Sequence, residues 1–249
     1  MANFDQDRLR SSVGVESPAI DQGLRSYMLR VYNYMAAGLA ITGVVAWLAF
    51  QAAVQDTGAG LALSPFGVAL FTSPLKWLVI FAPLGLVFFL SARIHSLSVS
   101  AAQITFWIFA GLMGLSLSSV FLVYTGASIT QTFFVTAIAF GSLSLYGYVT
   151  KRDLSAMGSF LFMGLIGILV ASLVNIFLQS SALQFAVSVI GVLVFAGLTA
   201  YDTQTIKSMY YEADSEVTAG KKAIMGALSL YLDFINMFMF LLQFLGNRR

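Results

Sequence analysis

A chain of 249 residues that is 59% hydrophobic, only 10% charged and has a mean hydropathy of +0.86 is too apolar for a soluble domain of its size, and reads as an integral membrane protein. Its formal net charge of +2 does not signal a nucleic-acid partner, because the bases sit in short stretches between apolar runs rather than in one patch. With no cysteine and one histidine, disulfides, thiol catalysis, iron–sulfur clusters and His-rich metal sites are excluded, and no cofactor is expected.

Residues Met1 to about Arg30 are polar, of mixed charge, and carry Ser17-Pro18. They read as a cytoplasmic tail over 1–30, followed by a single seven-helix transmembrane domain over 31–249. The first apolar run starts late and is of full length, so it reads as a spanning anchor rather than a cleavable signal peptide. Seven runs, each close to the roughly 20 residues that a bilayer requires, fall near 34–54, 75–92, 101–123, 129–149, 158–178, 183–206 and 224–245. The bases orient them. Arg8, Arg10, Arg25 and Arg30 in the tail share one side with Arg93, Lys151, Arg152, Lys207, Lys221 and Lys222 in the second, fourth and sixth loops. Only Lys76 and the terminal Arg248 and Arg249 stand apart, so the N-terminus is expected in the cytoplasm and the chain in the cell (inner) membrane. Seven full spans put the C-terminus outside, whereas a last segment that re-enters puts it inside; the sequence leaves both open.

Small residues at helical spacing, Ala110/Gly114/Ser118 and Gly164/Gly167, let helix backbones approach closely. Pro83 inside the second run predicts a kink.

Two carboxylates stand inside apolar runs: Asp202 in Ala200-Tyr201-Asp202-Thr203-Gln204, and Asp233 in Leu230-Tyr231-Leu232-Asp233-Phe234-Ile235-Asn236. An acid in a spanning segment costs about 2.5–3.5 kcal/mol on insertion scales and marks a functional site. In the last run Ser229, Asp233, Asn236, Phe240 and Gln243 follow 4-3-4-3 spacing and share one helix stripe, almost all of it polar. Such a stripe faces protein or water rather than lipid, which places this helix at the centre of the bundle, surrounded by the other six. The sixth run offers Thr199, Asp202 and Thr205 at i, i+3 and i+6. At about 1.5 Å per residue, Asp202 lies roughly 7–8 Å before Lys207 and Asp233 roughly 16 Å after Lys222, so both acids fall in the cytoplasmic half. Two carboxylates this close in a low dielectric are expected to share one proton, which makes the pair a proton switch. Arg93, which ends the second run on that side, is either an interfacial anchor or a counter-ion latch on the pair. His95 reads as an interfacial loop residue.

At Tyr201-Asp202-Thr203-Gln204 and Leu230-Tyr231-Leu232-Asp233-Phe234-Ile235-Asn236-Met237-Phe238 the sequence resembles the Bax inhibitor family, the transmembrane Bax inhibitor motif proteins, in its bacterial branch. The likeness covers nearly all of the chain, including Leu29-Arg30-Val31-Tyr32-Asn33-Tyr34-Met35. It implies a seven-helix fold in which two three-helix layers surround the last helix. It further implies a pH-sensitive calcium leak whose paired-aspartate sensor maps onto Asp202 and Asp233, with Arg93 the nearest match to a latching arginine. Some bacterial members bind and restrain a membrane-embedded protease, which the resemblance adds as an expected partner.

Three functions are therefore carried forward. In a calcium-permeable leak, Asp202 and Asp233 would hold calcium weakly and transiently, with Thr199, Thr205, Ser229, Asn236 and Gln243 lining the path. A module regulating another membrane protein would use the acids only as glue between helices, where polar contacts average about 0.6 kcal/mol and hardly offset inserting two acids. An intramembrane aspartyl protease would present one aspartate on each of two helices. Presenilin-like proteases, however, carry Gly-x-Gly-Asp at the second aspartate, where this chain reads Leu230-Tyr231-Leu232-Asp233, and no Pro-Ala-Leu stretch follows it. The chain is expected not to be an enzyme.

Overall fold

The computed structural model describes residues 18–56 and 61–248. Residues 1–17 of the expected tail lie outside the described residues. Among the described residues the chain is all-α apart from one short hairpin, and seven helices are long and apolar enough to cross a membrane. They run Pro18–Ala53, Leu75–Arg93, Val99–Leu117 (continued by the short helix Val120–Val123), Gly126–Val149, Ser155–Leu178, Ser181–Ser208 and Glu216–Leu245, and are called here the first to seventh spans.

Most helices begin earlier than the apolar runs, because a helix starts at its cap and not at the edge of hydrocarbon. Ser98, Thr125, Ser180 and Ser215 each accept a hydrogen bond from the backbone N–H three residues on, at Ala101, Ser128, Leu183 and Thr218. The first helix departs most from expectation. It is continuous from Pro18, so residues 18–30 belong to it rather than to a tail; proline suits a first helical turn, where its missing N–H costs nothing. Pro83 lies inside the second span, which runs through it without a break in helical assignment.

The first loop carries structure that hydropathy does not signal. Val54–Asp56 pairs antiparallel with Leu61–Leu63, and the short helix Pro65–Phe71 follows. Ser64 ties them down: its Oγ accepts from Gly67 N (3.1 Å) and donates to the Ala52 carbonyl (2.7 Å).

The first three spans form one layer, in which the first and second pack on the third, and spans four to six form another, in which the fourth and fifth pack on the sixth. The seventh span lies between the layers. It is the most buried of all and packs chiefly against the first, third, fourth and sixth, while the second and fifth sit at the outside. Small residues set the close contacts. A Cβ on Gly114 would stand 2.7 Å from the Thr42 carbonyl, so the expected Ala110/Gly114/Ser118 stripe does bring the third span onto the first. A Cβ on Gly147 would run into the Ala200 carbonyl, which fixes the fourth span on the sixth.

Polar contacts at the two ends define the topology. At one end Arg30 pairs with Glu216 (3.3 Å), Lys221 donates to the His95 carbonyl (2.8 Å), and Gln204 holds the fourth loop through the Arg152 carbonyl (2.8 Å) and Leu154 N (2.9 Å). At the other end Thr125 N donates to the Asn247 carbonyl (3.2 Å) and Asn247 N to Ser128 Oγ (3.0 Å). The last helix is thus a full span, and residues 246–248 lie beside the third loop, opposite the end that holds Arg30.

Gly147→Val, which forces a side chain into the Ala200 backbone, should destabilise the fold by about 1–3 kcal/mol and lower its thermal midpoint in detergent. Gly141→Ala on the same helix, whose added methyl meets no atom within 4 Å, should leave that midpoint unchanged or higher.

Candidate functional site

The seventh helix can bury most of its circumference because its other faces are apolar or small. Ala223, Ile224, Ala227, Leu230, Tyr231, Met237 and Leu242 are all buried. Even Tyr231 is satisfied there: its hydroxyl donates to Thr42 Oγ1 (2.6 Å), which in turn donates to the Ala110 carbonyl (2.8 Å), and the rings of Phe106 and Phe109 stand edge-on to it. The polar stripe is left to face the one side where no helix is closely packed, the gap between the fifth and seventh spans.

That gap is a cleft of about 690 Å³. The seventh span contributes Ser229, Asp233, Asn236 and Phe240, the sixth contributes Tyr201 and Asp202, and the fifth contributes Ser159 and Ser172. Both acids therefore line one cavity, as their depths along the two helices require. Asp233 is 5% exposed and its Oδ2 is buried without a hydrogen-bond partner. Asp202 is half-buried. Asn236 donates to the Leu232 carbonyl one turn back (2.8 Å), which turns its own amide oxygen away from the helix backbone.

A second cavity of about 550 Å³ continues from the first toward the end that holds Asn247. The two share Ser172, Asn236 and Phe240, and the second is walled by the amides of Asn175, Gln179, Gln184 and Gln243. The five stripe residues predicted on the seventh helix thus all line one or other of these two adjoining cavities. Gln243 is held in place by Ser188, whose Oγ donates to its Oε1 (3.0 Å). The first cavity holds the carboxylates and the second only uncharged amides as its polar side chains besides Ser172. Among the described residues no group of three or more His, Cys, Asp or Glu residues could hold a metal ion, so a cation here would meet two carboxylates and neutral oxygens only.

The family model described as Inhibitor of apoptosis-promoting Bax1 matches residues 24–249. The chain belongs to the Bax inhibitor family. It is 50% identical to the Inner membrane protein YbhL of Escherichia coli (strain K12) over 247 residues, covering 98% of this chain and 100% of that protein. It is also 50% identical to protein RP147 of Rickettsia prowazekii over 234 residues, or 94% of each chain. A protein of Caulobacter vibrioides is 48% identical over 233 residues, covering 93% of this chain and 92% of that one.

Three residues expected at the site of this Bax inhibitor family member lie elsewhere. Thr199 is fully buried on another face of the sixth helix, with its Oγ1 bonded back to the Phe195 carbonyl (2.8 Å). It lies one turn before Thr203, whose hydroxyl bonds Ser144 of the fourth span, and neither threonine lines the cleft. Thr205 lies one turn beyond Tyr201, whose ring covers Gly158 at the end of the cleft, and does not line the cavity. Arg93 is exposed in the last turn of the second span and, among the described residues, forms no ion pair. Since the second span packs on the third and the cleft lies across the molecule, Arg93 and the acids are not brought together in this structure.

The fifth span is what sequence reasoning missed. Ser159, Phe162, Leu165, Leu169 and Ser172 recur at three- and four-residue intervals and all face the cleft. Only the two end members are polar, so the stripe hides within an apolar run.

Because the chain has no cysteine, single replacements report accessibility without further engineering. Asn236→Cys and Ser229→Cys should react with a small water-soluble thiol reagent in detergent, and Thr199→Cys should not until the protein is denatured. Labelling of Thr199→Cys as fast as the other two would show that the cleft has been placed on the wrong face of the sixth helix.

Proposed function

We propose that this Bax inhibitor family protein is a calcium-permeable leak of the inner membrane, gated by protonation of Asp202 and Asp233. The relative named Inner membrane protein YbhL supports that location. One observation carries the reading: a buried carboxyl with an unpartnered oxygen faces a second carboxyl across a single cleft, and an uncharged polar cavity runs on from it. Leaving such an oxygen without a partner costs free energy that helix packing alone does not recover. A cation passing through the cleft would offset that cost transiently. Two carboxylates with Ser229 and Asn236 offer at most six oxygens, the low end of the six to eight ligands that calcium prefers, which makes a weak site, and weakness suits an ion that must also leave.

The proton acts on the same atoms. With one proton between them the two acids carry a single charge; without it, two like charges share a poorly screened cleft and push the sixth and seventh helices apart. Protonation state thereby biases the width of the path, and Arg93 takes no part, as an exposed residue anchored at the membrane surface.

Reconstitution into liposomes loaded with a calcium dye tests this. Calcium flux should change with pH in the wild type, and the change should flatten in Asp202→Asn and in Asp233→Asn. Asparagine keeps the size and much of the hydrogen bonding while removing the charge. The double variant should add little, since the pair titrates as a unit, and Arg93→Ala should keep the wild-type pH response. Full pH dependence in both single Asn variants would return the aspartates to a structural role.

A further inference from the structure

We propose that the cleft between the first and fourth spans, at the end of the bundle that holds Arg30, binds one anionic phospholipid, with its phosphate on Arg25 and an acyl chain beside Gly141. The cleft has a volume of about 530 Å³ and does not rest on the ion-pathway reading, because it shares no residue with that path.

Charge at the mouth selects the headgroup. Arg25 is exposed and, among the described residues, makes no ion pair, whereas Arg30 is taken by Glu216 and Lys222 by Asp214. Lys207 stands beside the same mouth, with its Nζ 5.0 Å from the centroid of the Tyr148 ring and donating to the Tyr148 carbonyl (2.9 Å). Among the described residues no carboxylate lines the cleft. Two cations that have no carboxylate partner among the described residues match a net negative phosphodiester better than a zwitterionic headgroup, and basic pockets between spanning helices are a recurrent form of such recognition.

The deep part of the cleft selects a hydrocarbon. Its polar atoms are already used: the Tyr32 hydroxyl donates to Ser144 (2.6 Å), Ser144 to Thr203 (2.9 Å) and Thr203 to the Thr199 carbonyl (2.7 Å). What remains facing the space is Leu29, Phe140 and Leu145, and a Cβ on Gly141 would meet no atom within 4 Å, which leaves an open slot in the wall. At a rise of about 1.5 Å per residue, Arg25 stands roughly 10 Å from Tyr32 along the first helix, so the cation lies toward the headgroups while the slot lies in the acyl region.

The full chain in detergent, titrated with phosphatidylglycerol or phosphatidylcholine and weighed intact by native mass spectrometry, tests the proposal. One phosphatidylglycerol should be retained under conditions that strip phosphatidylcholine. Retention should fall about tenfold in Arg25→Gln, which removes the charge, and in Gly141→Leu, which extends a side chain into the slot from a Cβ that meets no atom within 4 Å. Arg248→Gln, at the opposite end of the molecule, should leave it unchanged. Equal retention of the two lipids, wild-type retention in Arg25→Gln, or a bound polypeptide in place of a lipid would overturn the assignment. Gly141→Leu confirms or refutes the slot separately, and should it fail to fold, Arg25→Gln still decides.

Discussion

The bare oxygen of Asp233 on the most buried helix is the constraint around which the rest of the molecule is arranged. A membrane offers such a group no water, so the fold must either neutralise it or keep a path to it. Four neighbouring spans cover the apolar faces of the seventh helix, and the sixth reaches its polar stripe at Phe240 and Gln243, which leaves Ser229, Asp233 and Asn236 facing the cleft. The fifth span, which packs chiefly on the sixth, stands off from that stripe and leaves a cleft instead of a contact.

Elsewhere in the interior, apart from the Tyr27 hydroxyl, which also lacks a partner, buried side-chain polar groups are largely closed into pairs and short chains. Tyr231, Thr42 and the Ala110 carbonyl join the seventh, first and third spans, and Tyr32, Ser144, Thr203 and the Thr199 carbonyl join the first, fourth and sixth. An unpaired buried group costs about 1–3 kcal/mol, so these chains keep the walls of the bundle free of competing polar sites. They also tie together the spans that hold the seventh helix, while the second and fifth stay outside those chains. The glycine contacts work the same way: Gly114 and Gly147 draw backbones together where the layers must be firm, and Gly141, with open space before it, does not.

Much of this was legible in the sequence, and the parts that were not share a cause. Seven apolar runs and the 4-3-4-3 stripe from Ser229 to Gln243 report which helices span and which face of the last one is polar, because both are patterns along a single helix. Thr199 looked like a partner of Asp202 on spacing alone, but its hydroxyl is satisfied by its own backbone and it is fully buried away from the cleft. The contribution of the fifth span, carried by two serines in an apolar stripe, depends on how helices are placed around one another, which spacing does not encode. Helix starts were hidden by polar caps such as Ser98 and Ser215, and the hairpin after Ala53 by its brevity. The side of the C-terminus needed the contact between Asn247 and Thr125.

The central claim is that Asp202 and Asp233 form one unit across the cleft, and a double-mutant cycle on thermal stability measures that most directly. With Asp202→Asn, Asp233→Asn and the double variant compared in the same detergent and buffer, the account predicts non-additive changes, with a coupling of about 0.5 kcal/mol or more. Single-variant effects that sum to the double within about 0.3–0.5 kcal/mol, as for groups that do not touch, would contradict it.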